Sequence, residues 1–235
     1  MSKSYEIIGS IAVIGQDDGM ELAEQILKQN KNVKTIAKRT GDVEGEYRIK
    51  KVKVILGENT TETIHKENNV RIKIDINKAY YSPRLQTERQ RIMEQVKKGE
   101  IIIDMFAGVG PYTIAIAKKV KHIYALDHNA DAIKLLEENI KLNKITNVTA
   151  LTGDSLKIID TLPKAHRIIM NAPRQNNKET LKKAMSKIRK NGIIHYYTTT
   201  ENEKPKVTGL RKIRERRVID YSPGKQHICI EYKKN

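Results

Sequence analysis

A single cysteine, Cys229, excludes an internal disulfide, and no cysteine pair or His/Cys cluster offers a zinc site. Cys229 sits in the apolar run Ile228-Cys229-Ile230 and reads as a buried strand residue. No apolar run approaches the length of a membrane span. The start, Met1-Ser2-Lys3-Ser4, leads into alternating strand-like sequence, which does not read as a signal peptide. These absences lead us to expect a soluble cytoplasmic protein that needs neither a metal nor a membrane. There is no internal repeat and no long low-complexity linker. What is left is a chain of 235 residues. That length suits one large domain, or one medium domain plus a small one, with a core of ordinary size.

Lysine and arginine are in excess, with a formal net charge of +17. The excess is uneven. Residues 1–77 hold 13 basic and 12 acidic residues, whereas residues 78–235 hold 32 and 16. A surplus so localised suits a polyanionic partner, with nucleic acid the first choice. A lysine-rich solvated surface without a partner is the plainer alternative.

Apolar spacing divides the chain into two styles. Up to about residue 80 it reads as a small α+β unit. Tyr5 to Ile14 is a strand–turn–strand stretch, Met20 to Gln29 a helix, and Val33 to Ala37, Tyr47 to Leu56 and Val70 to Ile76 are strands. Ser82-Pro83-Arg84 then opens a helix to about Val96, with Pro83 in the first turn and Ser82 as its cap. From Glu100 strands and helices alternate. Strands are expected at 101–104, 122–126, 148–151, 166–170 and 193–197, with helices at 111–120, 130–142 and 178–189. Two further strands flank Ser222-Pro223-Gly224. This rhythm implies a parallel sheet covered on both faces. The expected fold class is α/β: residues 1–80 form the small domain, 81–98 a linker helix and 99–235 a Rossmann-like domain.

The chemistry concentrates at strand ends. In Ile101-Ile102-Ile103-Asp104-Met105-Phe106-Ala107-Gly108-Val109-Gly110-Pro111 a Gly-rich turn links a strand to a helix. The third glycine of the dinucleotide fingerprint is missing. A strand ending in Asp before Phe-Ala-Gly-x-Gly instead resembles the S-adenosyl-L-methionine (SAM) loop of class I methyltransferases. Asp127 ends the next strand, where a carboxylate can accept ribose hydroxyls, and Asp154 follows the third, within reach of an adenine amino group. Taken singly, each aspartate could equally be a turn or helix cap. Asn171-Ala172-Pro173 follows the fourth strand; its amide can both donate to and accept from a base edge.

Four further stretches narrow the resemblance: Gly45-Glu46-Tyr47-Arg48, Thr61 to Asn68, Tyr81-Ser82-Pro83-Arg84-Leu85-Gln86-Thr87-Glu88-Arg89, and Asp104 to Pro111. Together with Asn171-Ala172-Pro173 they are similar to the archaeal–eukaryotic tRNA guanine-37 N1-methyltransferase family, over essentially the whole chain. The resemblance implies that SAM is the cofactor, with no metal, and that the tRNA anticodon loop is the partner of a monomeric enzyme. It implies catalytic roles for Glu88 as base toward guanine N1–H, Arg48 facing O6, and Asn171 holding the base. The implied cofactor set includes Asn171 again and adds Tyr81, Arg84, Asp104, Phe106, Ala107, Gly108, Val109, Gly110, Asp127, His128, Asp154 and Ser155. The implied RNA contacts are Tyr80, Pro173, Arg174, Arg89, Arg211 and Arg214. The chemistry is coherent by itself: neutral guanine N1 carries a proton, so a base must remove it while a cation meets the charge growing on O6.

Alternatives remain at this level. Glu88 lies between Arg84 and Arg91 on one helix, so a plain ion pair would also explain it. Full-length archaeal members often carry an additional N-terminal domain, and a longer helix where this chain has Glu201 to Arg217. A sister family transfers the aminocarboxypropyl arm of SAM, and a non-catalytic SAM-fold RNA binder is a third reading. Methylation of a wyosine precursor is left open as a second activity.

Overall fold

The fold is described from a computed structural model. It covers residues 5–41, 49, 51–172, 177–202, 204–222 and 224–235. Arg48, Pro173 and Arg174 lie outside the described residues.

The first unit is a four-stranded mixed sheet in the order β1-β2-β3-β4 (Glu6–Ile8, Ile11–Ile14, Thr35–Arg39 and Val52–Gly57). Helix α1 (Met20–Gln29) joins β2 to its parallel neighbour β3 and buries Ala23 and Ile26 against them. As expected from strand alternation, Val52 is buried and Lys53 exposed.

A second small element was not anticipated as a strand pair. Strand β5 (Glu62–Glu67) forms an antiparallel hairpin with β6 (Val70–Asp75). The inward positions of β5 are Thr63, His65 and Glu67, so its buried face is polar and shows no apolar alternation. The hairpin is fastened to α4 (Ala130–Leu142) by two asparagines acting as substitute strand partners. Asn139 Oδ1 accepts from Lys73 N–H (2.6 Å) while its Nδ2 donates to Lys73 C=O (3.0 Å). Asn143, just past the helix, does the same at Arg71 (2.9 and 2.6 Å). Backbone groups of the β6 edge are thereby satisfied without a third strand.

Helix α2 (Gln86–Gln95) follows a 3-10 turn at Pro83–Leu85. Pro83 opens that turn as expected, but Ser82 makes no side-chain cap. Its hydroxyl instead meets Glu6 Oε1 at 3.3 Å.

The main sheet has seven strands: β7 (Ile101–Asp104), β8 (His122–Asp127), β9 (Val148–Thr152), β10 (Ala165–Met170), β11 (Ile188–Thr199), β12 (Leu210–Ser222) and β13 (Lys225–Lys234). Their order is β12-β13-β11-β10-β7-β8-β9. The run from β9 to β11 is parallel, and β13 and β12 add antiparallel edges. Helix α3 (Pro111–Ile116) follows β7, a short α5 (Ser155–Ile158) follows β9, and α6 (Lys178–Lys187) precedes β11. The chain runs outward from β7 to β9, then restarts on the other side at β10. Side-by-side strands β7 and β10 therefore mark the switch point where such sheets place ligands.

Element boundaries shift from expectation in places: the helix from Pro111 ends at Ile116 and passes into a 3-10 turn, and the helix from Lys178 ends at Lys187. Strand β11 begins at Ile188, not Ile193, with Asn191 at φ 63° and a register irregularity opposite Ala165 and Arg167. Arg211 to Arg217 lies inside edge strand β12, not in a helix, and the described residues between β11 and β12 contain no helix. Cys229 is fully buried on β13, as anticipated.

Between the hairpin and α2 lies a buried ion pair. Arg89, 1% exposed, donates Nε and Nη2 to the two oxygens of Glu67 at 2.5 Å each. Tyr81 completes the group: its hydroxyl donates to Glu67 Oε2 at 2.8 Å, and its ring lies 5.2 Å from the Arg89 guanidinium. Removing one partner strands a buried charge. Glu67→Gln should cost about 3–5 kcal/mol, read by urea unfolding. Replacing both residues with apolar ones (Glu67→Leu with Arg89→Met) should cost less than either single change. A double variant as unstable as the worse single one would contradict this account.

Candidate active site

A cavity of about 450 Å³ opens at the switch point, a size usual for cofactor sites. The Gly-rich turn forms its floor. Gly108 has φ +55°, and a Cβ there would meet only the Tyr80 carbonyl, at 3.9 Å, so the turn presents bare backbone to the cavity. Gly110 is needed for another reason. It caps α3 at φ +84°, and a Cβ would fall 2.2 Å from Leu136. Val109 points into the core, and its carbonyl accepts from Asn139. Val109 and Gly110 thus shape the loop from behind and do not line the cavity.

Phe106, Ala107 and Gly108 line it from the turn, joined by Asp127 and His128 at the end of β8, Asp154 and Ser155 after β9, and Asn171 and Ala172 after β10. Tyr80, Tyr81, Leu85 and Arg89 close it from the segment leading into α2. Asp127 accepts from Gly108 N–H on Oδ2 (2.7 Å) and from Asn129 N–H on Oδ1 (2.9 Å). Each oxygen keeps acceptor capacity for a ligand hydroxyl. Burial raises the Asp127 pKa, and the two backbone donors oppose that shift. Asp154 uses one oxygen to cap α5 at Leu156 N–H (2.9 Å). Ser155 Oγ donates to the Met105 carbonyl at 2.5 Å and fixes the two loops together. Asn171 Oδ1 is buried with no hydrogen-bond partner among the described residues. These features fit an adenosyl group: bare backbone beside Gly108, a carboxylate after each of two strands, and apolar Phe106, Ala132 and Leu156 in the walls.

Several expected residues are placed differently. Asp104 lies behind the turn, 1% exposed, and does not reach the cavity. Its Oδ2 accepts from Thr113 (2.9 Å), so it braces α3 against β7. Arg84 is exposed and donates to the Asp220 carbonyl (2.5 Å), bridging to β12 instead of touching the cofactor space. Arg89 does line the cavity, but its guanidinium is committed to Glu67 and not available to RNA. Arg211 and Arg214 are exposed on β12, away from the cavity lining.

Glu88 is 3% exposed and is not part of the lining. Its Oε1 accepts from Arg91 Nη2 (2.6 Å) and from Tyr197 (2.7 Å), and Oε2 accepts from Arg91 Nε (2.9 Å). Arg91 also pairs with Glu231 on β13. The ion pair that the helix spacing allowed is therefore formed. His65 accepts from Gly9 N–H and packs on Tyr81.

Other cavity residues escaped sequence reasoning. Asn129 caps α4 and donates to the Lys78 carbonyl (2.8 Å), tying the Asp127 turn to the segment before Tyr80. Its position after Asp127-His128 was a readable signal. Tyr112, Asn177 and His227 arrive from separate elements and carry no local signal.

Strand order and switch-point turn together define a class I SAM-dependent methyltransferase fold. Residues 63–221 match the TRM5/TYW2 methyltransferase domain, and residues 1–60 match the TYW2 N-terminal domain. The chain belongs to the TRM5/TYW2 methyltransferase family. The tRNA (guanine(37)-N(1))-methyltransferase Trm5b of Pyrococcus abyssi is 43% identical over 249 residues, spanning 98% of this chain and 74% of that protein. The tRNA 4-demethylwyosine(37)-methyltransferase Taw21 of Saccharolobus solfataricus is 36% identical over 248 residues, spanning 99% and 94%. The solved complex of aTrm5 and tRNALeu superposes with a TM-score of 0.88 at 34% identity, covering 100% of this chain and 72% of that one. Among the described residues no helix is long and apolar enough to cross a membrane.

Asp104 yields a pH prediction. Desolvation raises its pKa to about 7; the Thr113 hydroxyl opposes this, the Asp127 charge adds to it, and the Phe106 amide opposes it. A carboxyl that is harder to ionise when folded stabilises the fold below its unfolded pKa. That contribution is lost as pH rises toward about 7. The slope is at most roughly 1.4 kcal/mol per pH unit. The melting temperature of the ligand-free protein should therefore fall, relative to Asp104→Asn, between pH 5 and pH 7. Parallel melting curves for the two proteins would refute it.

Proposed function

We propose that this protein transfers the methyl group of SAM to N1 of guanine at position 37 of tRNA. Asn171 carries the reading. It stands at the end of β10 at the switch point, its buried Oδ1 lacks a partner among the described residues, and it shares one cavity with Asp127 and Asp154. The 43% identity to a tRNA (guanine(37)-N(1))-methyltransferase supports the choice of base and position.

When bound, SAM supplies a methyl group already activated on a positive sulfonium. The Gly108 turn, Asp127, Asp154, Phe106 and Leu156 hold the adenosyl part. Asn171 offers its free oxygen to the base edge, and Tyr80 and Pro173 bound the base. The base must be drawn out of the anticodon loop to enter. Glu88 removes the N1 proton, and Arg48 offsets the charge that develops on O6. The residues flanking Glu88 at i−3 and i+1, Leu85 and Arg89, line the cavity, so the helix backbone runs along its wall. Its carboxylate must loosen from Arg91 to meet N1, which ties proton removal to entry of the base. Residues 1–80 complete the active site, 81–98 link, and 99–235 hold the cofactor. The exposed cations of β12, Arg211 and Arg214 among them, receive the RNA backbone of the monomeric enzyme's substrate.

A second substrate is supported by a separate observation, the 36% identity to a 4-demethylwyosine methyltransferase over 99% of the chain. Nucleoside mass spectrometry distinguishes the readings. With SAM and an unmodified transcript carrying G37, the product should be N1-methylguanosine, absent from an A37 control. A product bearing the larger aminocarboxypropyl arm, or product only on a transcript already carrying the wyosine precursor, would overturn the assignment. Glu88→Gln should slow transfer roughly 10²–10⁴-fold. Losing one phosphate contact, as in Arg211→Ala or Arg214→Ala, should lower the salt slope of tRNA binding by about 1. An unchanged slope in both variants would remove β12 from the RNA surface.

A further inference from the structure

The groups that hold Glu88 are not equivalent. Arg91 pairs with it through two nitrogens and is itself anchored to Glu231 on β13. Arg216 on β12 stands 3.8 Å from Oε2 at the protein surface. Tyr197 on β11 is the neutral member. It is fully buried, and its hydroxyl donates to Oε1 at 2.7 Å. Burial keeps that hydroxyl's pKa well above the ordinary phenol value, so it remains a donor.

The Tyr197 ring packs against two residues of the cavity wall. Its centroid lies 5.8 Å from Tyr112 and 5.5 Å from His227, at tilts of 54° and 55°. Both neighbours line the cavity, whereas Tyr197 and Glu88 do not. One route from the cavity wall to the Glu88 carboxylate runs through the Tyr197 ring and its hydroxyl. A base seated against Tyr112 or His227 would act on the Tyr197 ring, and through it on the donor to Oε1.

We infer that Tyr197 is a positioning residue for methyl transfer: its hydroxyl sets the direction of Glu88, and its ring senses the base through Tyr112 and His227. The inference rests on the proposed role of Glu88 as the base. Tyr197 does not touch the substrate in this scheme, so its effect must pass through Glu88.

The test is a double-mutant cycle with the full chain, SAM and a G37 transcript, read as single-turnover rate, KM for the transcript and melting temperature. Tyr197→Phe keeps the ring and removes one donor to a charged group. Its rate should drop roughly 10-fold with KM nearly unchanged, and any fall in melting temperature should be the same in the wild-type and Glu88→Gln backgrounds. In a Glu88→Gln background the same change should have no further effect on rate. Additive losses, or a raised KM with an unchanged rate, would overturn the inference while leaving Glu88 as the base. A fully active Glu88→Gln would overturn the base assignment, and with it this inference. Should Tyr197→Phe fail to fold, 3-fluorotyrosine placed at position 197 alters the donor strength while keeping the hydroxyl. Its rate change must then vanish in Glu88→Gln, and a rate change that persists rejects the coupling.

Discussion

The Glu67–Arg89 pair is the contact on which the site's geometry hangs. Arg89 comes from the helix that walls the cavity, Glu67 from the hairpin, and Tyr81 from the segment between them. Two buried opposite charges with a fixed fork geometry hold these three pieces in one relative position. Pairing buried charges is weak as a source of stability, but strict as a specification of orientation. Tyr80 and Leu85, which face the cofactor space, are positioned as a consequence.

A second layer of control comes from side-chain amides. Asn139 and Asn143 complete the hairpin edge, and Asn139 reaches on to the Val109 carbonyl inside the Gly-rich turn. Asn129 joins the Asp127 turn to the segment before Tyr80. The cavity is thus assembled from distant stretches by groups that satisfy otherwise orphaned backbone donors and acceptors. Each amide both donates and accepts, so one residue bridges two elements.

The sequence was legible at three of the strand ends. Asp127, Asp154 and Asn171 could be placed because the alternation of strands and helices says which residues arrive at the carboxyl edge together. It was less legible where polar residues are buried. Strand β5 hides because its inward face is Thr63, His65 and Glu67, which no hydrophobic pattern reveals. The resemblance implied an RNA contact for Arg89, and nothing local in the sequence shows that its partner lies 22 positions away. Asp104 shares its motif with the cofactor turn, yet points behind it, and one residue of strand register decides that. Tyr112 and His227 meet only in three dimensions.

Strand β12 forms one margin of the main sheet, with its outer backbone groups unpaired by any neighbour in the sheet order. Such a margin invites the matching margin of another molecule to add on. Here Arg211, Lys212, Arg214, Arg216 and Arg217 crowd the strand, so two copies brought side by side would oppose like charges at close range. A polyanion meets no such opposition. Under the proposed function, the same cations would oppose edge pairing with a second copy and receive the RNA backbone.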